Sequence, residues 1–320
     1  MTETPYQSDS RLHWVAMFMP LFAMVTIFFG AMTTTEGAGM IFPDYPTSDG
    51  QGMFAYPFLS LITTMWDNPK DYHRFLEHGH RLVATAIGIY AIVLCVLGYM
   101  LDQRRWVGHL GLTILICIII QGLLGGFRVL LNDLGFAMVH GLFASFVLSL
   151  MGVMALVTAK SWLKPVEVKT TASLITNRSL ATFVFAALIF QYCLGGGIRH
   201  FPAHPIFGNP MHHLHTGLTV LVFTLLTTIS CWFAGGAITR WGGYLGVAMS
   251  LQVLLGLATY VTKYGYPPIG YQAVAGSYDQ VFMRTFHMMS GTIVMAVATQ
   301  LLIQVWRARK ADSQIVAQPT

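Results

Sequence analysis

Eight apolar runs, each about 20 residues long, constrain the fold of this chain more than any other feature. They cover approximately residues 14–33, 81–101, 107–130, 136–158, 179–198, 213–234, 241–262 and 284–306. A helix needs about 20 mostly apolar residues to cross the roughly 30 Å hydrocarbon layer of a membrane. Backbone groups in that layer must also form their hydrogen bonds within the protein. The runs therefore predict an all-α membrane protein with eight transmembrane helices.

The composition excludes an ordinary soluble domain. Of the 320 residues, 55% are hydrophobic and only 10% are charged, whereas a soluble domain carries about 25% charged residues. The formal net charge of +5 is explained by the basic loops of a membrane protein, so no nucleic-acid partner is needed. All four cysteines lie in predicted spans and are interpreted as small buried apolar residues.

Lysine and arginine are distributed unequally between the two sides of the predicted membrane. The side with the N-terminus, the even-numbered loops and the C-terminus holds eleven of the 18, and this excess predicts that both termini are cytoplasmic. The first run is too long for a signal-peptide core, and no Arg- and Ser-rich transit peptide precedes it. We therefore expect a multi-pass protein of the bacterial inner membrane. The opposite side holds Lys70, Arg74, Arg81, Arg128, Arg199, Lys263 and Arg284.

The histidines favour a division into two four-helix units. Span 2 opens with EHGHR (77–81) and span 6 with HHLHT (212–216), while spans 4 and 8 begin near His140 and His287. Duplicated bundles are common in membrane proteins. We therefore predict two pseudo-symmetric four-helix bundles, covering residues 1–159 and 179–320 and joined by a cytoplasmic linker, 160–178.

A shorter repeat points the same way. The pattern Gln-x-x-Leu-Gly occurs three times near the spans, at 121–125, 191–195 and 252–256. Leucine and glycine are common in this chain, so the repeat alone is weak support for a duplication.

Matched histidines near helix ends can ligate a cofactor inside a bundle. Neutral imidazole is a good axial ligand for heme iron, and a bundle core can hold a cofactor between facing helices. The layout predicts two bis-histidine sites, His80 with His140 and His215 with His287, with a proton relay or structural roles as alternatives. Nearby arginines would pair with the anionic heme propionates: Arg81, Arg128, Arg199 and Arg284.

The two units differ in one acidic residue. Alignment of EHGHR with HHLHT places Glu77 opposite His212 and His80 opposite His215, so only the first unit has an acid one helical turn before its ligand. A buried acid beside a heme can move protons or stabilise a cationic intermediate. The alternative is an ion pair with Arg81 or Arg74. The asymmetry favours chemistry in the first unit and electron transfer in the second.

These residues, with the loop GAGMIFPDYPTSDG (37–50) and the segments QGLLGGFRVL (121–130) and QYCLGGGIRH (191–200), make the chain resemble the heme A synthase family over essentially its whole length. The resemblance implies a membrane enzyme that oxidises a methyl group of heme O to a formyl group, through successive hydroxylations and loss of water. It also implies that His80 and His140 flank the substrate heme, with Glu77 as the acid. His215 and His287 would ligate a resident heme b.

The resemblance further implies a place in cytochrome c oxidase assembly. The protein would act beside heme O synthase and oxidase assembly factors, take electrons from a donor that the sequence does not identify, and could form a homo-oligomer. Two other functions stay open. One is a di-heme cytochrome b that exchanges electrons with quinol, and the other is a heme transporter or chaperone.

The chain departs from the family pattern in the first outer loop. Many members have a cysteine pair there, whereas this chain has none before Tyr90, and the usual Pro-Asp-Trp-Pro reads PDYP at 43–46. This loop of about 40 residues has the length of a lid over the substrate site. Asp44 is interpreted as a turn-forming residue. Interfacial or propionate-contacting roles are expected for His78, His212 and His213.

Overall fold

The structure is a computed structural model that describes residues 9–311. The predicted units extend to residues 1–8 and 312–320, which lie outside the described part. Within the described residues there are nine α-helices: α1 Ser10–Thr35, α2 Phe58–Thr64, α3 Pro69–Leu101, α4 Arg105–Leu131, α5 Leu134–Thr158, α6 Thr171–His200, α7 Pro210–Ala234, α8 Gly236–Tyr264 and α9 Tyr278–Arg307. All except α2 are long and apolar enough to cross a membrane, which confirms the predicted all-α fold with eight spans.

Helix α3 begins twelve residues before the apolar run that predicted it. The side chain of Asn68 accepts a hydrogen bond from the backbone N–H of Lys70, and Pro69 occupies the first helical position. At 33 residues the helix is about 50 Å long, more than the roughly 30 Å hydrocarbon layer. The stretch 77–81 therefore lies in the third and fourth turns of a helix that is longer than a membrane span requires, rather than at its start.

The eight long helices contact one another in two rings of four. In the N-terminal bundle, α1 packs on α3, α3 on α4, α4 on α5 and α5 on α1. In the C-terminal bundle, α6 packs on α7, α7 on α8, α8 on α9 and α9 on α6. These rings contain the same two sets of spans that the histidines suggested. The exact boundaries of the units and their pseudo-symmetry stay predictions, and α6 begins at Thr171, inside the predicted linker.

Three helix pairs join the bundles. They are α5 with α9, α1 with α9, and α5 with α6. Since α5 and α9 lie at this junction, they are the most buried of the eight spans. The molecule therefore has one hydrophobic core in each bundle and a shared central wall between them.

At one end of the molecule, the segment between the bundles is tied to the end of α9. Two short parallel strands pair there, β1 Glu167–Val168 and β2 Arg309–Lys310. The guanidinium of Arg307 lies 3.7 Å from the centre of the Trp162 ring and donates a hydrogen bond of 2.6 Å to the Trp162 carbonyl.

At the other end, the long connection between α1 and α3 is folded and not an open loop. It contains α2 and a small core of its own, formed by Phe42, Tyr56 and Leu61. Phe58 stacks on Phe75 of α3 with ring centres 5.1 Å apart. This packing places residues 37–57 over the end of the N-terminal bundle at which α3 begins.

Candidate functional site

His80 of α3 and His140 of α5 face each other inside the N-terminal bundle. Their ring centres are 6.3 Å apart and the rings are nearly perpendicular. Nδ1 of His80 donates to the carbonyl of Thr26 at 3.0 Å, and Nδ1 of His140 donates to the carbonyl of Gln121 at 3.1 Å. Because a carbonyl can only accept, both rings carry their proton on Nδ1 and leave Nε2 available as a ligand.

The C-terminal bundle contains a second pair with almost the same geometry. The rings of His213 on α7 and His287 on α9 have centres 6.2 Å apart. Nδ1 of His287 donates to the carbonyl of Gln252 at 3.2 Å, and the side-chain amide nitrogen of Gln191 lies 3.0 Å from Nδ1 of His213. The structure thus brings four histidines together as two pairs.

The second pair corrects the prediction for His215. The buried stripe of α7 contains Val220, Thr224, Thr227 and Cys231, and His213 lies two turns before Val220 on that stripe. His215 is two residues further along, about 200° around the helix from His213, and it is exposed. His213, expected at the interface or beside a propionate, therefore occupies the position predicted for His215 opposite His287.

Both pairs line one continuous cavity of about 690 Å³. This volume is within the range of pockets that hold large organic ligands, about 300–1,000 Å³. The four predicted arginines, Arg81, Arg128, Arg199 and Arg284, also line it. The cavity therefore combines apolar walls, paired imidazoles and cationic groups.

Three of these arginines are not neutralised by an acid. Among residues 9–311, no carboxylate lies within 4.0 Å of the guanidinium of Arg128, Arg199 or Arg284. Arg199 donates to the Ala31 carbonyl and to the Thr35 hydroxyl, each at 2.9 Å. Cations without a counter-ion are costly at membrane depth, so the cavity is suited to an anionic ligand.

Arg81 is different, because it forms a buried ion pair with Glu77. One guanidinium nitrogen lies 2.7 Å from a carboxylate oxygen, and both side chains are at most 5% exposed. The other carboxylate oxygen accepts the backbone N–H groups of Ile41 at 2.9 Å and Phe42 at 3.3 Å. The alternative expected from the sequence, an ion pair with Arg81, is therefore present, and Glu77 also lines the cavity.

Arg81 and Asp44 stabilise the connection between α1 and α3 through hydrogen bonds. Arg81 donates to the backbone carbonyls of Asp44, at 2.9 Å, and Thr47. The Asp44 carboxylate accepts the N–H groups of Asp49 and Gly50 at 3.1 and 2.9 Å, the turn-forming role expected for it. Partial burial acts to raise the pKa of Asp44, but hydrogen bonds from Thr47 and from these N–H groups outweigh it and lower the pKa.

Tyr45 packs the connection between α1 and α3 against α4. Its hydroxyl donates to the carbonyl of Gly122 at 3.2 Å, and its ring lies where a side chain at Gly126 would have to be. The aromatic residue of the PDYP stretch thus packs on the glycine-rich part of α4.

His78, expected at the interface or beside a propionate, instead supports this connection and does not line the cavity. It is fully buried, its Nδ1 lies 2.9 Å from the Ser48 hydroxyl, and its ring centre is 4.6 Å from that of Tyr56. Nothing local in the sequence indicates this role, because Ser48 is 30 residues away. His212 is exposed, with Nδ1 3.2 Å from the Ile206 carbonyl.

Part of the chain is similar in sequence to known proteins. The family of cytochrome oxidase assembly proteins designated COX15-CtaA matches residues 2–151 and 58–210, together about two thirds of the chain. A heme A synthase from Methylobacterium radiotolerans is 27% identical over 144 residues, which are 45% of this chain and 39% of that protein. The chain thus aligns with less than half the length of this relative. Because the family match covers more than half of the chain, it shows that the chain belongs to the COX15-CtaA family of cytochrome oxidase assembly proteins.

Proposed function

We propose that this protein is a heme A synthase, a membrane oxidoreductase that oxidises a ring methyl group of heme O to a formyl group. The observation that carries the proposal is the pair of opposed imidazoles in each bundle, with ring centres 6.3 and 6.2 Å apart in one cavity. The family match and the name of the Methylobacterium relative support the same reaction.

The imidazole spacing fits a metal ion held between the rings. A metal–imidazole bond is about 2.0–2.1 Å and the bonding nitrogen lies about 1.1 Å from the ring centre, so two imidazoles on opposite sides of one ion have centres about 6.3 Å apart. Each site offers only two protein ligands, and residues 9–311 contain no group of three or more His, Cys, Asp or Glu placed to hold a metal. A porphyrin, which supplies four nitrogens of its own, suits such a site.

The two pairs would hold different hemes. His80 and His140 would bind the substrate heme O next to Glu77, and His213 and His287 would bind a resident heme b. When bound, heme b supplies one-electron transfer at its iron. Arg128, Arg199 and Arg284 would bind the anionic propionates, whereas Arg81 is committed to Glu77 and the outer connection.

Glu77 would serve the chemistry in two ways. It fixes residues 41–42 over the cavity through their N–H groups, which helps to exclude water from the substrate. Its carboxylate, one helical turn from His80, can also hold or release a proton at the cavity wall. The C-terminal bundle has Pro210 one turn before His213, so only the N-terminal bundle has this acid.

The cellular setting follows as part of the proposal. The protein would lie in the inner membrane of a bacterium with both termini in the cytoplasm and the heme sites toward the outer side. Heme O synthase would supply the substrate, and heme A would pass to cytochrome c oxidase assembly. The electron donor and any homo-oligomer are left open.

The direct test is pigment analysis. The full-length chain is expressed in cells that make heme O, and the extracted hemes are separated by chromatography. We expect heme A from the wild type. From Glu77→Gln we expect heme O or a hydroxylated intermediate, with the resident heme spectrum unchanged. Glu167→Gln, an exposed acid on β1, is the control. Absence of any formyl heme from the wild type, with an electron donor present, would refute the proposal.

A di-heme cytochrome b is the second candidate, because the two histidine pairs are so alike in geometry. It predicts that quinol reduces both hemes and that extracts contain only heme b. A heme transporter or chaperone predicts bound heme O that is released unchanged. The same extraction therefore separates all three functions.

A further inference from the structure

Each of the four paired histidines lies against a glycine of the preceding span. A methyl group added to Gly30 would lie 2.9 Å from Cε1 of His80, and one added to Gly256 would lie 2.9 Å from Cε1 of His287. The corresponding distances are 3.1 Å for Gly125 with His140 and 3.2 Å for Gly195 with His213. Non-bonded carbon atoms prefer about 3.5–4.0 Å. A methyl group at any of the four would therefore press on the imidazole.

The residue four positions before the glycine supplies the hydrogen bond. The carbonyls of Thr26, Gln121 and Gln252 accept from Nδ1 of His80, His140 and His287, and the glycine follows four residues later in each case. We call this pattern the glycine motif: Thr26 with Gly30, Gln121 with Gly125, Gln191 with Gly195, and Gln252 with Gly256.

Helix geometry explains the spacing of four. The carbonyl of residue n accepts the N–H of residue n+4 and keeps a second lone pair free. A side chain at n+4 leans toward the N-terminus of the helix and would cover that carbonyl. Glycine at n+4 leaves the carbonyl open to an imidazole on the next helix.

In the copy formed by Gln191 and Gly195, the glutamine side chain contacts the histidine in place of the backbone carbonyl. The Gln191 amide nitrogen donates to the His213 carbonyl at 2.8 Å and contacts Nδ1 at 3.0 Å. The Thr216 hydroxyl donates to the Gln191 amide oxygen and so fixes its orientation. The imidazole still rests on the glycine four residues later.

We propose that the glycine motif positions the four imidazoles, and that Gly30, Gly125, Gly195 and Gly256 are positioning residues for heme ligation. This inference rests on the proposed function, because it gives the imidazoles the task of binding iron. The glycine determines how closely each imidazole ring can approach the preceding span. In three copies the carbonyl keeps the proton on Nδ1 and leaves Nε2 unprotonated as a potential ligand.

Other glycines show that the arrangement is not general helix packing. A methyl group on Gly242 would meet Cβ of Cys231, and one on Gly111 would meet backbone of Cys95. Gly243 of α8 and Gly88 of α3 would meet nothing within 4 Å. The contact with an imidazole edge is shared by the four glycine motifs, which makes Gly243 a matched control for Gly256 on the same helix.

The test is a hemin titration of purified full-length protein in detergent, followed by optical and electron paramagnetic resonance spectra. In the wild type we expect low-spin bis-histidine heme. In Gly256→Ala we expect folded protein with about 10-fold or more weaker hemin binding at the C-terminal site and a high-spin component. Gly243→Ala should match the wild type. Gly125→Ala repeats the comparison in the N-terminal bundle, with Gly98→Ala as its control, because a methyl group at Gly98 would make an ordinary contact 3.4 Å from Cα of Gly108.

Each outcome decides one question. If Gly256→Ala and Gly125→Ala keep the wild-type spectrum and affinity, the glycine motif has no positioning role. If both variants fail to fold while their controls fold, the glycines serve helix packing and the inference is likewise overturned. If the wild type itself forms no bis-histidine heme, the proposed function fails instead.

Discussion

At the scale of single residues, the direction of one histidine on α7 decides the composition of the second site. Only His213 faces His287 across the cavity, with ring centres 6.2 Å apart, while His215 is exposed on the same helix. Removal of an axial ligand abolishes low-spin coordination, whereas removal of an exposed imidazole leaves it intact. The two residues therefore give a matched pair of variants.

We expect His213→Ala to lose the low-spin spectrum of the C-terminal site and His215→Ala to keep it. The measurement is the optical and electron paramagnetic resonance spectrum of purified, heme-loaded protein. His287→Ala serves as the positive control for loss. A spectrum that survives His213→Ala but disappears in His215→Ala would restore the pairing that the sequence predicted.

The same residues show how far the sequence reaches. The sequence singled out His80, His140 and His287 because each lies near the start of a predicted apolar run, and all three line the cavity; their role as ligands stays a prediction. His213 could not be identified in this way, because an alignment of EHGHR with HHLHT does not show which face of α7 is directed toward the cavity. The buried stripe at Val220, Thr224 and Thr227 identifies this face. The stripe can be recognised only in the packed structure.

At the scale of elements, the eight spans could be predicted because a membrane demands long apolar helices. The connection between α1 and α3 could not. Its structure depends on contacts with residues far along the chain, such as Ile41 with Glu77 and Tyr45 with Gly122. The sequence predicted a lid only from the length of this connection. The structure adds the hydrogen bonds that join the connection to α3 and α4.

The turn at residues 44–50 in this connection should be sensitive to acid. The pKa of Asp44 is below its ordinary value of 3.8 in the folded turn, so the unfolded turn binds a proton at higher pH. The stabilising contribution of the Asp44 carboxylate to the folded turn is complete above about pH 4. It is lost as pH falls through the lowered pKa of Asp44. Asp44→Asn should remove that contribution at every pH.

Peptic cleavage within residues 41–50 measures this effect. At pH 5, Asp44→Asn should be cut faster than the wild type, and the difference should shrink as pH falls below about 4. Asp67→Asn, which removes a carboxylate from the same connection outside the turn, is the control. A difference between Asp44→Asn and wild type that is constant over this pH range would show that the carboxylate does not hold the turn.

At the scale of the whole molecule, the two bundles share a wall and one cavity. Arg199 of α6 donates to the carbonyl of Ala31 and the hydroxyl of Thr35 at the end of α1. A residue of the C-terminal bundle is thus hydrogen-bonded to the N-terminal bundle. A single cavity reaches both histidine pairs, and under the proposed reaction it would hold the two hemes between which electrons pass. The duplication predicted from the histidines would then give each bundle one heme.

The cavity also sharpens the expected orientation in the membrane. Of the seven cations on the side predicted to be outer, five line the cavity: Arg81, Arg128, Arg199, Lys263 and Arg284. Only Lys70 and Arg74 then remain as ordinary outer charges, against eleven on the other side. Since the positive-inside rule counts charges near the spans that face water, the bias toward cytoplasmic termini becomes stronger.

Cysteine labelling in intact spheroplasts tests this orientation. The native cysteines lie within the spans, and three of the four are buried, so a membrane-impermeant maleimide should give little background. Asp67→Cys, between α2 and α3, should be labelled in intact spheroplasts. Lys169→Cys, between β1 and α6, should be labelled only after the membrane is permeabilised. The reverse pattern would place the heme sites toward the cytoplasm, and labelling of both positions in intact spheroplasts would contradict the assignment of these two segments to opposite sides.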